Sequence, residues 1–60
     1  MLEAVWLKNG KEVYKVSPVE TLVCYENMEI SDIEVENTHG WHGYSDVGEA
    51  DDFVIRIKKE

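Results

Sequence analysis

Residues 2–16 read LEAVWLKNGKEVYKV, two stretches rich in Val, Leu, Trp and Tyr joined by Asn9-Gly10. Asn and Gly both tolerate the positive φ that a two-residue hairpin turn demands, so this segment predicts an antiparallel hairpin. Its strands run from Leu2 to Lys8 and from Lys11 to Val16, with Trp6 and Leu7 across from Glu12 to Tyr14. At the other end of the chain, FVIRIK (residues 53–58) alternates Phe53, Ile55 and Ile57 against Val54, Arg56 and Lys58, which predicts a further strand.

The segment between them is less uniform. Ser17-Pro18-Val19-Glu20 has the form of a helix start, with a capping serine, a proline at the first helical position and a glutamate completing a capping box. Val19, Leu22 and Val23 follow at helical spacing, so a two- to three-turn helix fading near Asn27 is expected, with Cys24 inside it as a small buried hydrophobe. Glu29 to Glu36 reads EISDIEVE, which alternates from Ile33 onward and suits a strand with a bulge or late start. A second helix, capped by Ser31 and closed by Gly40, is the competing reading. Asn37 to Asp52 holds three of the four glycines and reads as a long connection. The order strand, strand, helix, strand, strand implies an α+β domain spanning residues 1–60, one small antiparallel sheet with one helix on one face. The other face is expected to be partly apolar through Leu7, Val5 or Trp6.

Sixty residues with 43% hydrophobic content support one small folded domain, and a chain this short is marginal in stability. A single cysteine excludes an internal disulfide and a four-cysteine zinc site. With such staples missing, a homodimer formed through the first hairpin or the last strand is expected. No apolar run reaches the roughly 18 residues of a membrane span, and the acid-bearing start does not resemble a secretory signal. The unpaired Cys24 suits a reducing cytoplasm.

Charge is the main functional signal. The net charge is -7, and no lysine or arginine occurs between Lys15 and Arg56, while that interval carries ten acids. Such an array disfavours direct binding to nucleic acid or to an anionic membrane and suits a partner protein with a basic surface. Within THGWHGYSDVGEADD (residues 38–52), glycines frame Trp41 and Tyr44 beside Asp46, Glu49, Asp51 and Asp52. Aromatic anchors within a polar surround are the usual composition of a binding hot spot. These six residues, with Glu34 and Glu36, form the candidate partner-binding set; the competing role for Trp41 is to fold back into the core. His39 and His42 have H-x-x-H spacing and, with Asp46, form a weak zinc or general-base pattern. No activated nucleophile accompanies them, so neither catalysis nor a metal or other cofactor is expected.

A small, strongly acidic chain without an enzyme motif resembles the inhibitors that phages make against host nucleic-acid enzymes and defence systems. Asn9-Gly10-Lys11, Ile30-Ser31-Asp32-Ile33-Glu34-Val35 and Asp51-Asp52-Phe53-Val54-Ile55-Arg56-Ile57 are similar in order to the short dimeric phage inhibitor of uracil-DNA glycosylase. In that family the Ser-Asp stretch opens a helix. The present chain differs by its SPVETLVCYEN segment and its aromatic-glycine loop. The resemblance implies a non-catalytic, dimeric blocker of a host protein, acting in the bacterial cytoplasm. A structural or assembly subunit, or a tiny His-dependent metal-binding hydrolase, are the alternatives.

Overall fold

Asn9 and Gly10 take φ values of 53° and 80°, the paired positive values that match a tight turn to the twist of its strands. In the computed structural model, which describes residues 1–26 and 29–59, this turn joins β1 (Leu2–Lys8) to β2 (Lys11–Val16). Trp6 lies opposite Tyr14 but Leu7 lies opposite Glu12, which makes Val13 the extra residue of a β-bulge. Strict alternation would put Glu12 on the same face as Tyr14. The bulge turns Glu12 to the other face and keeps a carboxylate out of the core.

The chain continues through β3 (Thr21–Cys24), a 3-10 turn (Ile30–Asp32), β4 (Ile33–Asn37), β5 (Gly40–Gly43), the four-residue helix α1 (Tyr44–Val47) and β6 (Asp52–Ile57). Two three-stranded antiparallel sheets result, ordered β2-β1-β6 and β3-β4-β5. The expected single sheet under one helix of two to three turns is therefore corrected to two sheets and a helix of four residues, although the first hairpin, β4 and β6 fall where expected.

The helix expected from Ser17 is replaced by β3. Its capping motif is local, whereas Thr21, Val23 and Tyr25 are β-branched or aromatic and lose rotamer freedom in a helix. As a strand they pair with β4, and two main-chain bonds fix the entry: Val19 N–H to Leu2 O at 3.0 Å and Glu20 N–H to Glu36 O at 2.8 Å. The expected helix end at Asn27 lies outside the described residues. Cys24 is exposed on β3 rather than buried. Glu29 to Glu36 resolves as the late-starting strand, with Ile30 in the 3-10 turn and Ile33 opening β4. The expected connection from Asn37 to Asp52 instead contains β5 and α1. The Asn37 side chain accepts the His39 N–H at 2.9 Å, and Gly40 at φ 121° returns the chain.

The core lies between the sheets. Ala4, Trp6 and Val16 from the first sheet pack with Val35 from the second and Ala50 from the loop before β6. Trp6 is fully buried, edge-on to Phe53 at 4.8 Å between ring centroids and tilted against Tyr14 at 5.7 Å. Its inward position, and the complete burial of Val5, correct the expectation of an exposed apolar face built on these two residues. The outer face of the first sheet is closed by ions instead. Glu3, 2% exposed, receives the Arg56 guanidinium at 2.7 and 2.8 Å and Lys58 Nζ at 3.4 Å, while Arg56 also grips Glu12 at 2.8 and 3.3 Å. No helix among the described residues is long and apolar enough to cross a membrane.

Candidate protein-binding face

Val35 points into the core, so its neighbours Glu34 and Glu36 alternate to the outer face of the second sheet. Across β4–β5, Glu36 faces Trp41 and Glu34 faces Gly43. A side chain at Gly43 would bring its Cβ to 3.3 Å from Glu34 Cγ, so the glycine gives the glutamate room to lie over β5. Across β3–β4, Thr21 faces Glu36 and Val23 faces Glu34. Tyr25 extends the ladder through its N–H to Asp32 O at 3.2 Å, and hydrogen bonding to the Glu34 carboxylate, with its charge, raises the Tyr25 phenol pKa above the usual value.

The outer face therefore sets two carboxylates on the central strand between an aromatic on each edge. Trp41 is 49% exposed and Tyr25 53% exposed. The strands of this sheet contain no lysine or arginine. Trp41 stands on the surface while Trp6 fills the core, so Trp41 does not fold back into the core. Thr21, Val23 and Tyr25 were not in the expected set. Their period-two alternation of β-branched and aromatic residues carried the signal, and the stronger-looking helix-capping motif obscured it.

The remaining members of the expected set lie elsewhere and make internal bonds. Tyr44 Oη donates to Ala50 O and accepts from Ala50 N–H, both at 3.2 Å, clasping the loop that leaves α1. Asp46 accepts the Gly43 N–H at 2.9 Å, satisfying a free donor at the start of α1. Glu49 pairs with Lys8 at 2.9 Å, and this bond holds the ammonium pKa above its usual value. Asp51 accepts Asn9 N–H at 3.2 and 3.4 Å, and its own N–H bonds to Leu7 O at 2.8 Å, so it braces the first hairpin. Asp52 accepts the N–H of Phe53 at 2.8 Å. Glu34, Glu36 and Trp41 share one face, while Glu49 and Asp51 are anchored to the first sheet.

His42 shares the inner side of β5 with Gly40, and its ring lies 6.2 Å from that of Tyr14 between centroids. Asn37 Oδ1 accepts from His39 N–H, which fixes it as the amide oxygen; it therefore accepts from His42 Nε2 at 3.0 Å, and His42 Nδ1 accepts from Tyr14 Oη at 3.1 Å. Both ring nitrogens are thus used, Nδ1 in joining the two sheets and Nε2 in holding β5 to the end of β4. Metal ligation by His42 would break one of these bonds. Among the described residues no three His, Cys, Asp or Glu side chains are grouped to hold a metal ion, and no pocket is present.

No protein-family model matches the chain, and no curated protein or solved structure matches it significantly.

Proposed function

We propose that this chain is a phage-type inhibitor or counter-defence protein that binds a basic surface of a host protein and blocks it without catalysis. Its place of action in this reading is the bacterial cytoplasm, and its target a nucleic-acid enzyme or an immune effector. The observation that supports it is the outer face of the second sheet, where half-exposed Trp41 stands beside Glu36 and Glu34 with no lysine or arginine on any of the three strands. Trp41 supplies the large, stiff anchor, and the carboxylates select and steer a cationic partner. Asp52, Glu49 and Asp51 lie outside this face, the latter two bracing the first hairpin, while Tyr44 and Asp46 hold the turn and loop that follow β5.

The test is affinity capture from a bacterial lysate with matched baits: the native chain, Trp41→Ala and Glu34→Lys/Glu36→Lys. A protein retained by the native chain and lost by both variants, and whose own activity falls on adding the native chain in equimolar amount, supports the proposal. Capture that is the same with all three baits contradicts the face. Capture without loss of the captured protein's activity favours an assembly subunit over a blocker.

A further inference from the structure

We infer that the open edge of β6 pairs antiparallel with the β6 of a second copy, centred on Ile55, to join two first sheets into one six-stranded sheet. Among the described residues β6 is hydrogen-bonded on one side only, to β1. The direction of its free groups follows from the ladder. Met1 and Lys58 exchange both main-chain bonds, N–H to O at 2.8 and 3.2 Å. Hydrogen-bonded pairs alternate along an antiparallel ladder, so Arg56 and Val54 also bond to β1. Phe53, Ile55 and Ile57 then point their N–H and C=O groups to the open side. The Phe53 N–H is capped there by the carboxylate of Asp52, as an outward-pointing donor would be.

Two observations favour a second copy as the occupant of that edge. The first is apolar exposure along this edge: Ile57 is 81% exposed, Val54 38% and Ile55 37%, with Leu2 of the adjoining β1 at 44%. The edge has no proline, no bulge and no inward charge, three of the usual protections of a lone strand. The second is charge complementarity with itself. The strand begins Asp51-Asp52 and ends Arg56-Ile57-Lys58-Lys59, so it is acidic at one end and basic at the other. An antiparallel copy sets Asp52 opposite the second copy's Lys58 and Asp51 opposite the second copy's Lys59. A parallel copy would set like charges side by side.

Centring on Ile55 sets Phe53 opposite the second copy's Ile57, which covers the most exposed apolar side chain. It forms about six main-chain hydrogen bonds from groups that all point outward. The Asp52 carboxylate is released from the Phe53 N–H to meet the lysine. The contact is isologous, so it closes at two copies and every substitution enters it twice. It leaves the outer face of the second sheet free on both copies.

Sedimentation equilibrium tests this with the full chain alone. The native protein at about 100 µM should sediment at twice 6.9 kDa. Ile57→Pro should sediment as the single chain, with its dissociation constant raised at least about tenfold. This proline removes an N–H that β1 does not use, at a side chain that is already exposed, so the far-UV circular dichroism should not change. If Ile57→Pro disturbs the fold, Ile57→Lys puts the same question by placing an ammonium opposite Phe53 of the second copy, and it too should be a single chain. A native protein of 6.9 kDa only, or a dimer that survives in the folded variant, overturns the pairing.

Discussion

Arg56 is the residue on which the outer face of the first sheet depends. It reaches Glu3 across β1 and Glu12 beyond it, and so holds a carboxylate that is 2% exposed. A planar guanidinium suits this task because it can bond two carboxylates at once with fixed geometry. The Arg56 bonds, aided by Lys58, lower the pKa of Glu3 against the opposing effect of burial, and Arg56 lowers Glu12 likewise. The ordinary value for both is 4.5. Because the folded pKa lies below the unfolded one, this stabilisation is complete above about pH 4.5 and is lost as pH falls through the folded values. Thermal melts should therefore fall from about pH 5 to about pH 3 in the native protein. Arg56→Met should be less stable at neutral pH and show a shallower acid slope, because Glu3 then gains by protonation; parallel slopes would contradict this role. The two tryptophans make the complementary contrast. Trp6→Ala should cost about 3–5 kcal/mol in urea unfolding, enough to unfold most of a domain this small. Trp41→Ala should change stability by about 0.5 kcal/mol or less yet weaken partner binding by about 2 kcal/mol or more. Trp6 Nε1 has no hydrogen-bond partner among the described residues, so Trp6→Phe, which removes that donor, should cost less than Trp6→Ala.

At the scale of elements, the glycines separate backbone need from side-chain room. Gly10 has φ 80° and nothing within 4 Å of a built Cβ, so Gly10→Ala should cost about 1–2 kcal/mol through backbone strain alone, read from denaturant midpoints. Gly43 is extended at φ -140°, so Gly43→Ala should barely alter stability but displace Glu34, a change visible in partner affinity. The strands with a clean alternation or a strong turn signal were legible in the sequence: β1 and β2 around Asn9-Gly10, β4 from Ile33, and β6. β3 was not, because Ser17-Pro18-Val19-Glu20 satisfies every local rule for a helix start. What decides its conformation is the ladder with β4, at a sequence distance that local patterns do not report. β5 was hidden for a different reason: Gly40-Trp41-His42-Gly43 has glycines where a strand normally has side chains. Half of the candidate face was legible, through Glu34, Glu36 and Trp41. Tyr25 was lost with β3. The internal bonds of Tyr44, Asp46, Glu49 and Asp51 depend on chain crossings that spacing alone does not fix.

For the whole molecule, the charge segregation of the sequence maps onto the two sheets. Residues 1–16 and 52–59 carry all six bases against Glu3, Glu12 and Asp52, while residues 17–51 carry nine acids and no base. The strands of the first sheet are thus net basic, while those of the second carry Glu34 and Glu36 with no lysine or arginine, and Glu49 and Asp51 of the acidic segment bond to Lys8 and Asn9 of the first hairpin. Repulsion within the acidic half costs stability, and binding to a basic surface would relieve it. Long-range steering of this kind acts on association, whereas a buried aromatic anchor acts on dissociation. The most direct measurement is the association rate constant between this chain and the protein it captures, followed by stopped flow from about 0.05 M to about 0.5 M salt, where the Debye length shrinks to a few ångströms. The native chain should associate fastest at low salt and slow about tenfold or more across the series, and Glu34→Lys/Glu36→Lys should start slow and vary little. Equal low-salt rates for the native chain and the double variant would contradict the claim that the Glu34–Glu36–Trp41 face is where this protein meets its partner.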